Sequence, residues 1–133
     1  MALYTAPITH RPERDGSTLD SPHVTYFLAV EYASDAWRAM LDKSCGELLP
    51  ATDLGVVDVS GQFTKEMFVG EATAEVELAH VGTSSIGFRV TIYQGGQQCA
   101  VITTVLAQLA DGRTRSRPLS HEQRTALERF TQM

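Results

Sequence analysis

The strictest pattern in the sequence is an alternation of apolar and polar residues over residues 84–93. Apolar side chains occupy every second position, and small, polar or charged ones stand between them: Ile86, Phe88, Val90 and Ile92 against Ser85, Gly87, Arg89 and Thr91. Successive side chains of a β-strand point to opposite faces, so the pattern predicts an antiparallel strand with one buried face. A sheet of such strands needs another element to cover its apolar face.

Two neighbouring segments predict further strands of the same sheet. Residues 71–81 alternate in the same way, and residues 56–64 place three apolar side chains on one face: Val57, Val59 and Phe63. A Gly95-Gly96 pair follows residues 84–93 and predicts a tight hairpin into the next strand. Residues 3–10 predict a short edge strand, because a proline such as Pro7 is poorly tolerated in a central one.

Residues 99–109 are apolar at both odd and even positions, which predicts the central strand, covered on both faces. We expect Val101, Val105 and Leu109 to meet the covering element there. Ile102 and Leu106 would then face a second subunit, which predicts a homodimer or homotetramer.

The covering element is predicted to be one long helix over residues 22–42. Its apolar residues recur at spacings of three and four: Val24, Phe27, Leu28, Trp37, Met40 and Leu41. A second helix is predicted over residues 120–132, where Ser120 and Gln123 form a capping-box pattern. The fold class is therefore α+β, with a five-stranded antiparallel sheet wrapped around a long central helix and a short C-terminal helix, in a single domain over residues 1–133.

Composition excludes several classes of function. The chain of 133 residues carries a net charge of −5, which argues against nucleic-acid binding. It holds no run of about 18 apolar residues that could span a membrane. No secretory signal pattern stands at the N-terminus, so we expect a cytoplasmic protein. Cys45 and Cys99 lack metal-ligand spacing and predict free thiols.

Asp20 stands just before the long helix, in the stretch Asp20-Ser21-Pro22-His23. A helix start concentrates unpaired N–H groups and partial positive charge, so it can polarise a carbonyl group. A carboxylate beside that positive end, in a groove between helix and sheet, points to an enzyme that acts on an acyl group. The alternative is that Asp20 only caps the helix, as aspartate often does.

Several stretches carry a resemblance to a known family. They are the Asp20 segment, residues 36–41, Gly70-Glu71, residues 80–85 and residues 117–120. In their order along the chain they resemble the hotdog-fold acyl-CoA thioesterases, in particular the 4-hydroxybenzoyl-CoA thioesterase and YbgC branch, over roughly residues 3–130. His23-Val24 matches the family's His-Val pair, whereas Pro22 replaces a glycine and Thr25-Tyr26 replace two asparagines.

The resemblance implies hydrolysis of acyl thioesters, of CoA or of a carrier protein, with no metal or organic cofactor. Asp20 would act as general base or as nucleophile. The N–H groups near Val24, Thr25 and Tyr26 would polarise the carbonyl. His23 would either orient the water or the carbonyl, or serve as a structural partner of Asp20.

Other residues have a role under the resemblance and a simpler structural alternative. Glu31 is a rival acid, as in the PaaI-like branch, or a surface carboxylate paired with a nearby charge. The turn of Thr83, Ser84 and Ser85 contacts the pantetheine arm or nucleotide, or only joins two strands. Three arginines, Arg113, Arg115 and Arg117, would bind the CoA phosphates, or would only belong to a solvated loop. Three apolar residues, Tyr26, Phe27 and Met67, would line an acyl pocket, or would only belong to the core.

Two other functions fit the same fold. An enoyl-thioester hydratase or dehydratase would use Asp20 and His23 to move protons at the α and β carbons of the acyl chain. A non-catalytic acyl-CoA-binding module would only hold the ligand, since fold alone does not fix function.

Overall fold

The computed structural model describes the backbone of residues 2–132 and the side chains of residues 2–130. The predicted order of strand, long helix, four strands and short helix is confirmed. The elements are β1 (Ala2–Ile8), α1 (Tyr26–Cys45), β2 (Leu54–Phe63), β3 (Gly70–Val81), β4 (Ser85–Gln94), β5 (Gln97–Gln108) and α2 (His121–Glu128). No helix within residues 2–132 has both the length and the apolar character needed to cross a membrane.

The five strands form one antiparallel sheet, as predicted, and their order across it is β1-β3-β4-β5-β2. The predicted hairpin at Gly95-Gly96 is confirmed, and both glycines have positive φ angles of 58° and 78°. The middle strand is β4, so the prediction that residues 99–109 form the central strand is wrong. β5 lies between β4 and the edge strand β2.

The faces of β5 are the reverse of those predicted. Ile102 and Leu106 are buried in the core, while Val101 and Val105 are half-buried on the opposite face. Ile102 pairs with Val90 and Leu106 with Ile86, and paired residues of antiparallel strands point to the same face. The buried face of β4 therefore fixes that of β5. Leu109 lies against Gly55 of β2, where a Cβ atom would come within 2.8 Å of its side chain.

The register of β2 also corrects a prediction. The ladder with β5 shifts between Val56 and Asp58, so Val57 has no paired position. A bulge of this kind moves the side-chain alternation by one residue. As a result Val56, rather than Val57, shares a face with Val59 and Phe63.

The inner face of α1 is rich in small residues that allow close approach to the sheet. Its buried side chains are Leu28, Ala29, Tyr32, Ala33, Ala36, Trp37, Leu41, Ser44 and Cys45. Trp37 stacks on Phe88 of β4 with ring centroids 5.3 Å apart. Of the predicted stripe, Phe27 is 56% exposed and faces solvent.

Tyr32 fastens α1 to the edge of the sheet. Its hydroxyl lies within hydrogen-bond distance of the carbonyl oxygens of Ala6 in β1 (2.9 Å) and Ala72 in β3 (2.8 Å), which share its single O–H donor. Burial raises the pKa of Tyr32 to about 12, so the hydroxyl stays protonated and able to donate at neutral pH.

The start of α2 confirms the predicted capping box. The Ser120 Oγ accepts from the Gln123 N–H (3.0 Å), and the Gln123 side-chain oxygen accepts from the Ser120 N–H (2.9 Å). The Gln123 amide also donates to the Leu48 carbonyl (2.8 Å) and to the side chain of Gln108 in β5 (2.6 Å). This buried network joins α2 to the sheet and to the turn after α1.

Candidate active site

Helix α1 begins four residues later than predicted, because the preceding segment is held in an extended pairing. The Val24 N–H donates to the Met67 carbonyl (2.8 Å), and the Val69 N–H donates to the Pro22 carbonyl (2.8 Å). His23 and Phe68 form the bridge between these two bonds. The pairing joins the segment before α1 to the segment between β2 and β3, so both reach the helix start.

The first turn of α1 leaves several polar groups without partners. Thr25 is the N-cap residue, yet its side chain makes no capping hydrogen bond, and its Oγ1 is buried with no partner among the described residues. The N–H groups of Thr25, Tyr26 and Phe27 likewise donate to no acceptor within residues 2–132. The first turn contains no acidic residue. Within the described residues, neither a side-chain cap nor a first-turn acid compensates the positive end of α1.

A cleft of about 170 Å³ opens beside this helix start. Its lining is mostly apolar and includes two charged residues, Lys65 and Glu66. The lining residues are Val24, Thr25, Tyr26, Ala29, Phe63, Lys65, Glu66 and Met67. Tyr26 and Met67 were predicted to line an acyl pocket and do line this cleft. Phe27 does not line it, and packs its ring edge-on against Tyr26 at 5.8 Å.

His23 lies beside the cleft and pairs with a carboxylate that the sequence analysis missed. Its Nδ1 is 2.6 Å from Oε1 of Glu66, and its ring lies against that of Phe68 at 5.2 Å. The partner of His23 is therefore Glu66, and the alternative in which His23 pairs with Asp20 is wrong. Glu66 lies in an irregular segment with no periodic pattern, so no local signal in the sequence indicated that it returns to His23.

Asp20 is exposed in the irregular segment that leads to α1. Its carboxylate makes no hydrogen bond or ion pair with any described residue, and it is not among the residues that line the cleft. Asp15 of the same segment differs, because its carboxylate accepts hydrogen bonds from the Ser17 hydroxyl (2.6 Å) and N–H (2.9 Å). Those bonds hold the pKa of Asp15 below its usual value. Asp20 is thus a carboxylate of this segment without a partner among the described residues, and it lies closer to α1 in sequence than Asp15 or Glu13.

The comparisons with known proteins agree with the fold. Residues 25–101 match the sequence model of the thioesterase superfamily, a range that covers more than half of the chain. The chain belongs to the thioesterase superfamily. The matched range starts at the N-cap of α1, so Asp20 and His23 lie outside it. No curated protein matches the sequence.

Several solved structures are similar to this thioesterase. A thioesterase from Thermus thermophilus, complexed with coenzyme A and Zn, has a TM-score of 0.78 and 19% identity, covering 97% of this chain and 94% of that one. A predicted thioesterase from Bacillus stearothermophilus has a TM-score of 0.75 and 20% identity, covering 97% and 96%. Slr0204 from Synechocystis, a 1,4-dihydroxy-2-naphthoyl-CoA thioesterase, has a TM-score of 0.73 and 16% identity, covering 95% of this chain and 96% of that one. These likenesses support the hotdog fold, and the family makes the protein a thioester hydrolase.

In this thioesterase the rival acid Glu31 is engaged in an ion pair. Its Oε1 accepts from the Arg11 guanidinium, with the Arg11 Nε at 2.9 Å. The pair borders a separate, smaller cavity of about 110 Å³ between α1 and the end of β1. The structural alternative stated for Glu31, a carboxylate paired with a nearby charge, is therefore what the structure has.

The turn of Thr83, Ser84 and Ser85 joins β3 to β4 and also anchors the C-terminal part of the thioesterase. The Thr83 carbonyl accepts from the Leu119 N–H (2.9 Å), and the Ser84 carbonyl accepts from the Gln108 N–H (2.8 Å). The Ser85 hydroxyl lies 3.1 Å from the Nε2 of His80. The backbone of this turn thus holds structural contacts, as expected of a strand connection.

The three arginines after β5 differ in how they are used. Arg113 donates to the carbonyls of Thr52 (2.6 Å) and Leu54 (3.2 Å), and Arg117 donates to the Gln108 side chain (3.3 Å). Arg115 is exposed, and its guanidinium contacts no acceptor in the described part of the chain. Of the three, Arg115 is free to bind an anion.

The described residues offer no site for a metal ion. Residues 2–132 contain no cluster of three or more histidine, cysteine, aspartate or glutamate side chains that could bind one. The prediction of free thiols is confirmed, because Cys45 and Cys99 are both unpaired and buried.

Proposed function

We propose that this thioesterase hydrolyses acyl-CoA to a carboxylic acid and free CoA at the cleft beside the start of α1. The observation that carries the proposal is that N–H groups without acceptors among the described residues lie at the helix start, beside an apolar cleft. The N–H groups suit a developing oxyanion, and the apolar lining suits an acyl chain. The CoA bound by the Thermus thermophilus thioesterase supports the choice of CoA as the leaving group.

The carbonyl oxygen of the thioester would point at the N–H groups of Thr25 and Tyr26. Val24 contacts the acyl group through its side chain, because its own N–H is already donated to Met67. One well-placed donor is worth about 3 kcal/mol of barrier, since it stabilises the oxyanion more than the ground-state carbonyl.

Asp20 supplies the base or the nucleophile in this proposal. As a base it takes a proton from water while the water oxygen bonds to the acyl carbon, and the tetrahedral intermediate then expels the CoA sulfur, which takes up the proton. As a nucleophile its oxygen bonds to the acyl carbon, CoA leaves, and water hydrolyses the resulting anhydride. The free state of the Asp20 carboxylate is compatible with both routes.

We also propose that the active enzyme is a homo-oligomer and that the cleft lies at a subunit boundary. Val56, Val59 and Phe63 point to the helix side of the sheet, yet each is more than two-fifths exposed because α1 does not cover β2. β2 is also an edge strand with a free row of backbone groups, which favours pairing with a second copy. Phe63 belongs both to this uncovered surface and to the cleft.

For the CoA end of the substrate we propose Arg115 as the phosphate ligand. Arg113 and Arg117 hold the loop in place through their bonds to the protein. Contact between the substrate and the side chains of Thr83, Ser84 and Ser85 remains part of the proposal, because the Thr83 and Ser84 hydroxyls have no partner in the described part of the chain.

A thiol-release assay over short, long and aromatic acyl-CoAs tests the proposed function. Release of free CoA from at least one class, abolished in Asp20→Asn, supports it. Loss of the enoyl absorbance of crotonyl-CoA without thiol release would show a hydratase instead. Tight binding of acyl-CoA with no turnover of any class would show a binding module. Either of these two results would overturn the proposal.

A further inference from the structure

Beside the helix start, the structure brings together a histidine and a carboxylate from segments 43 positions apart in the sequence, His23 and Glu66. We infer that Glu66 is a positioning residue, which keeps the proton of His23 on Nδ1 so that Nε2 can accept a hydrogen bond from the attacking water. The inference rests on the proposed function and adds a residue to it.

The contact between the two side chains is short and specific. Oε1 of Glu66 lies 2.6 Å from Nδ1 of His23, whereas Nε2 has no partner among the described residues. Because a carboxylate only accepts, the shared proton belongs to Nδ1. The hydrogen bond made by one ring nitrogen decides the state of the other, so Nε2 is left as the acceptor.

The backbone holds the pair in place although both side chains are about half exposed. The two hydrogen bonds that flank the His23–Phe68 bridge fix the distance between the segments that carry His23 and Glu66. The Phe68 ring supports one face of the imidazole. The pair is therefore set by the pairing of these segments rather than by the chance meeting of two long surface side chains.

Other charged groups nearby are accounted for. Lys65 lies next to Glu66 but donates its Nζ to the Gln97 side chain at 2.7 Å. His10 contacts the Ser21 carbonyl through its Nε2. Asp20 lies on the same segment as His23, three positions earlier, and forms no pair with any residue that the structure describes.

In this arrangement one water molecule donates its two protons to different residues. One O–H group donates to Nε2 of His23, and the other donates to the Asp20 carboxylate, which takes the proton. The water oxygen then bonds to the acyl carbon, and the carbon–sulfur bond breaks. Orientation of a reactant in this way lowers the barrier without any new covalent step.

The test uses the full-length protein labelled with ¹⁵N-histidine, together with steady-state kinetics. The chain has four histidines, and the His23 signals are assigned by their absence from His23→Gln. In the wild type the neutral His23 ring should carry its proton on Nδ1. In Glu66→Ala the proton should move to Nε2, with kcat lowered about tenfold to a hundredfold and KM changed less than twofold.

Two further variants separate a positioning role from a merely structural one. Glu66→Asp keeps a carboxylate and should restore part of the Nδ1 proton and of kcat. Glu47→Ala removes an exposed carboxylate from the turn Gly46–Leu48, away from the cleft, and should change neither reading. Since Glu66 is 61% exposed, none of these changes removes core packing.

The outcomes distinguish the inference from the proposed function. If Glu66→Ala leaves the His23 proton on Nδ1, or leaves kcat at the wild-type value while Asp20→Asn abolishes turnover, Glu66 does not position His23. If the wild type releases no thiol from any acyl-CoA, the proposed function fails, and the positioning of a catalytic His23 fails with it whatever the ¹⁵N spectrum shows.

Discussion

The two helices begin in opposite ways. At the start of α2, Ser120 and Gln123 cap each other, and Glu122 places a negative charge in the first turn. At the start of α1, Thr25 caps nothing, the first turn has no acid, and a buried hydroxyl oxygen lacks a partner among the described residues. The longer helix therefore has fewer capping contacts at its N-terminus than the shorter one. One helix start is completed by the protein to stabilise the fold, and the other is left open for a ligand that can accept hydrogen bonds.

The largest expected effect concerns Asp20, a carboxylate in the segment that leads to α1. Asp20→Asn should lower kcat by about 10³-fold with little change in KM, because it removes the proposed base or nucleophile but no binding contact. Glu31→Gln is the matched control, since Glu31 is paired with Arg11 and should leave kcat within about twofold. Steady-state thiol release measures both, and a reversed result would move the active site to Glu31.

The assembly of two copies at β2 should have the next largest effect. Val59→Arg places a charge on the uncovered inner face of β2 and should convert the oligomer to monomers with most of the activity lost. Light scattering after size-exclusion chromatography measures the state. Glu47→Arg, a charge change elsewhere on the surface, is the control. A wild type that is already monomeric and active would contradict the placement of the cleft at a subunit boundary.

The closed helix start should matter for stability. Gln123→Leu removes the amide bonded to Leu48 and Gln108 and breaks the capping box, so it should lower the free energy of unfolding by about 3 kcal/mol. Urea unfolding of the free protein measures the loss. The folded fraction should retain its kcat, because Gln123 is not part of the cleft. A loss below about 1 kcal/mol would show that the network contributes little.

Arg115 sharpens the assignment of the CoA end. Arg115→Ala should raise KM for acyl-CoA by about fivefold to tenfold at low salt, and by less at high salt, because the lost contact is an exposed charge pair. Acyl-pantetheine lacks the nucleotide phosphates and should show no change in KM, which makes it a control on the substrate side. An unchanged KM for acyl-CoA at both salt concentrations would show that Arg115 does not bind phosphate.

The smallest expected effects come from substitutions at the two N-cap residues, Ser120 and Thr25. Ser120→Ala should destabilise the protein by about 1 kcal/mol, because a working cap is lost. Thr25→Val keeps the side-chain shape and removes a buried oxygen that has no partner among the described residues, so it should stabilise the protein by about 1 kcal/mol. Thermal unfolding of both variants measures the signs. Destabilisation by Thr25→Val would mean that the hydroxyl has a partner in solution.

The sequence predicted those parts of the fold whose signals are local. Alternation marked β3 and β4, the Gly95-Gly96 pair marked the hairpin, and Ser120 with Gln123 marked the start of α2. Each of these signals lies within a few residues of the feature that it predicts. For the same reason the sequence also indicated that Asp20 and His23 lie close to the start of the long helix.

The features that the sequence could not predict depend on distant parts of the chain. β5 is apolar on both faces, so only its pairing with β4 decides which face is buried. Helix α1 starts at Tyr26 because the segment before it pairs with residues 67–69. The same pairing brings Glu66 to His23. Glu66 lies in an irregular segment, where the sequence has no periodic pattern that could have indicated this contact.

The central claim is that the open start of α1 receives the thioester carbonyl. The most direct test is an amide ¹H–¹⁵N titration with an acyl-CoA analogue in which a methylene group replaces the thioester sulfur, leaving a ketone. We expect large shifts for the N–H groups of Thr25 and Tyr26 and none for the capped N–H groups of Ser120 and Gln123. Binding of the analogue with no shift at Thr25 or Tyr26 would contradict the account.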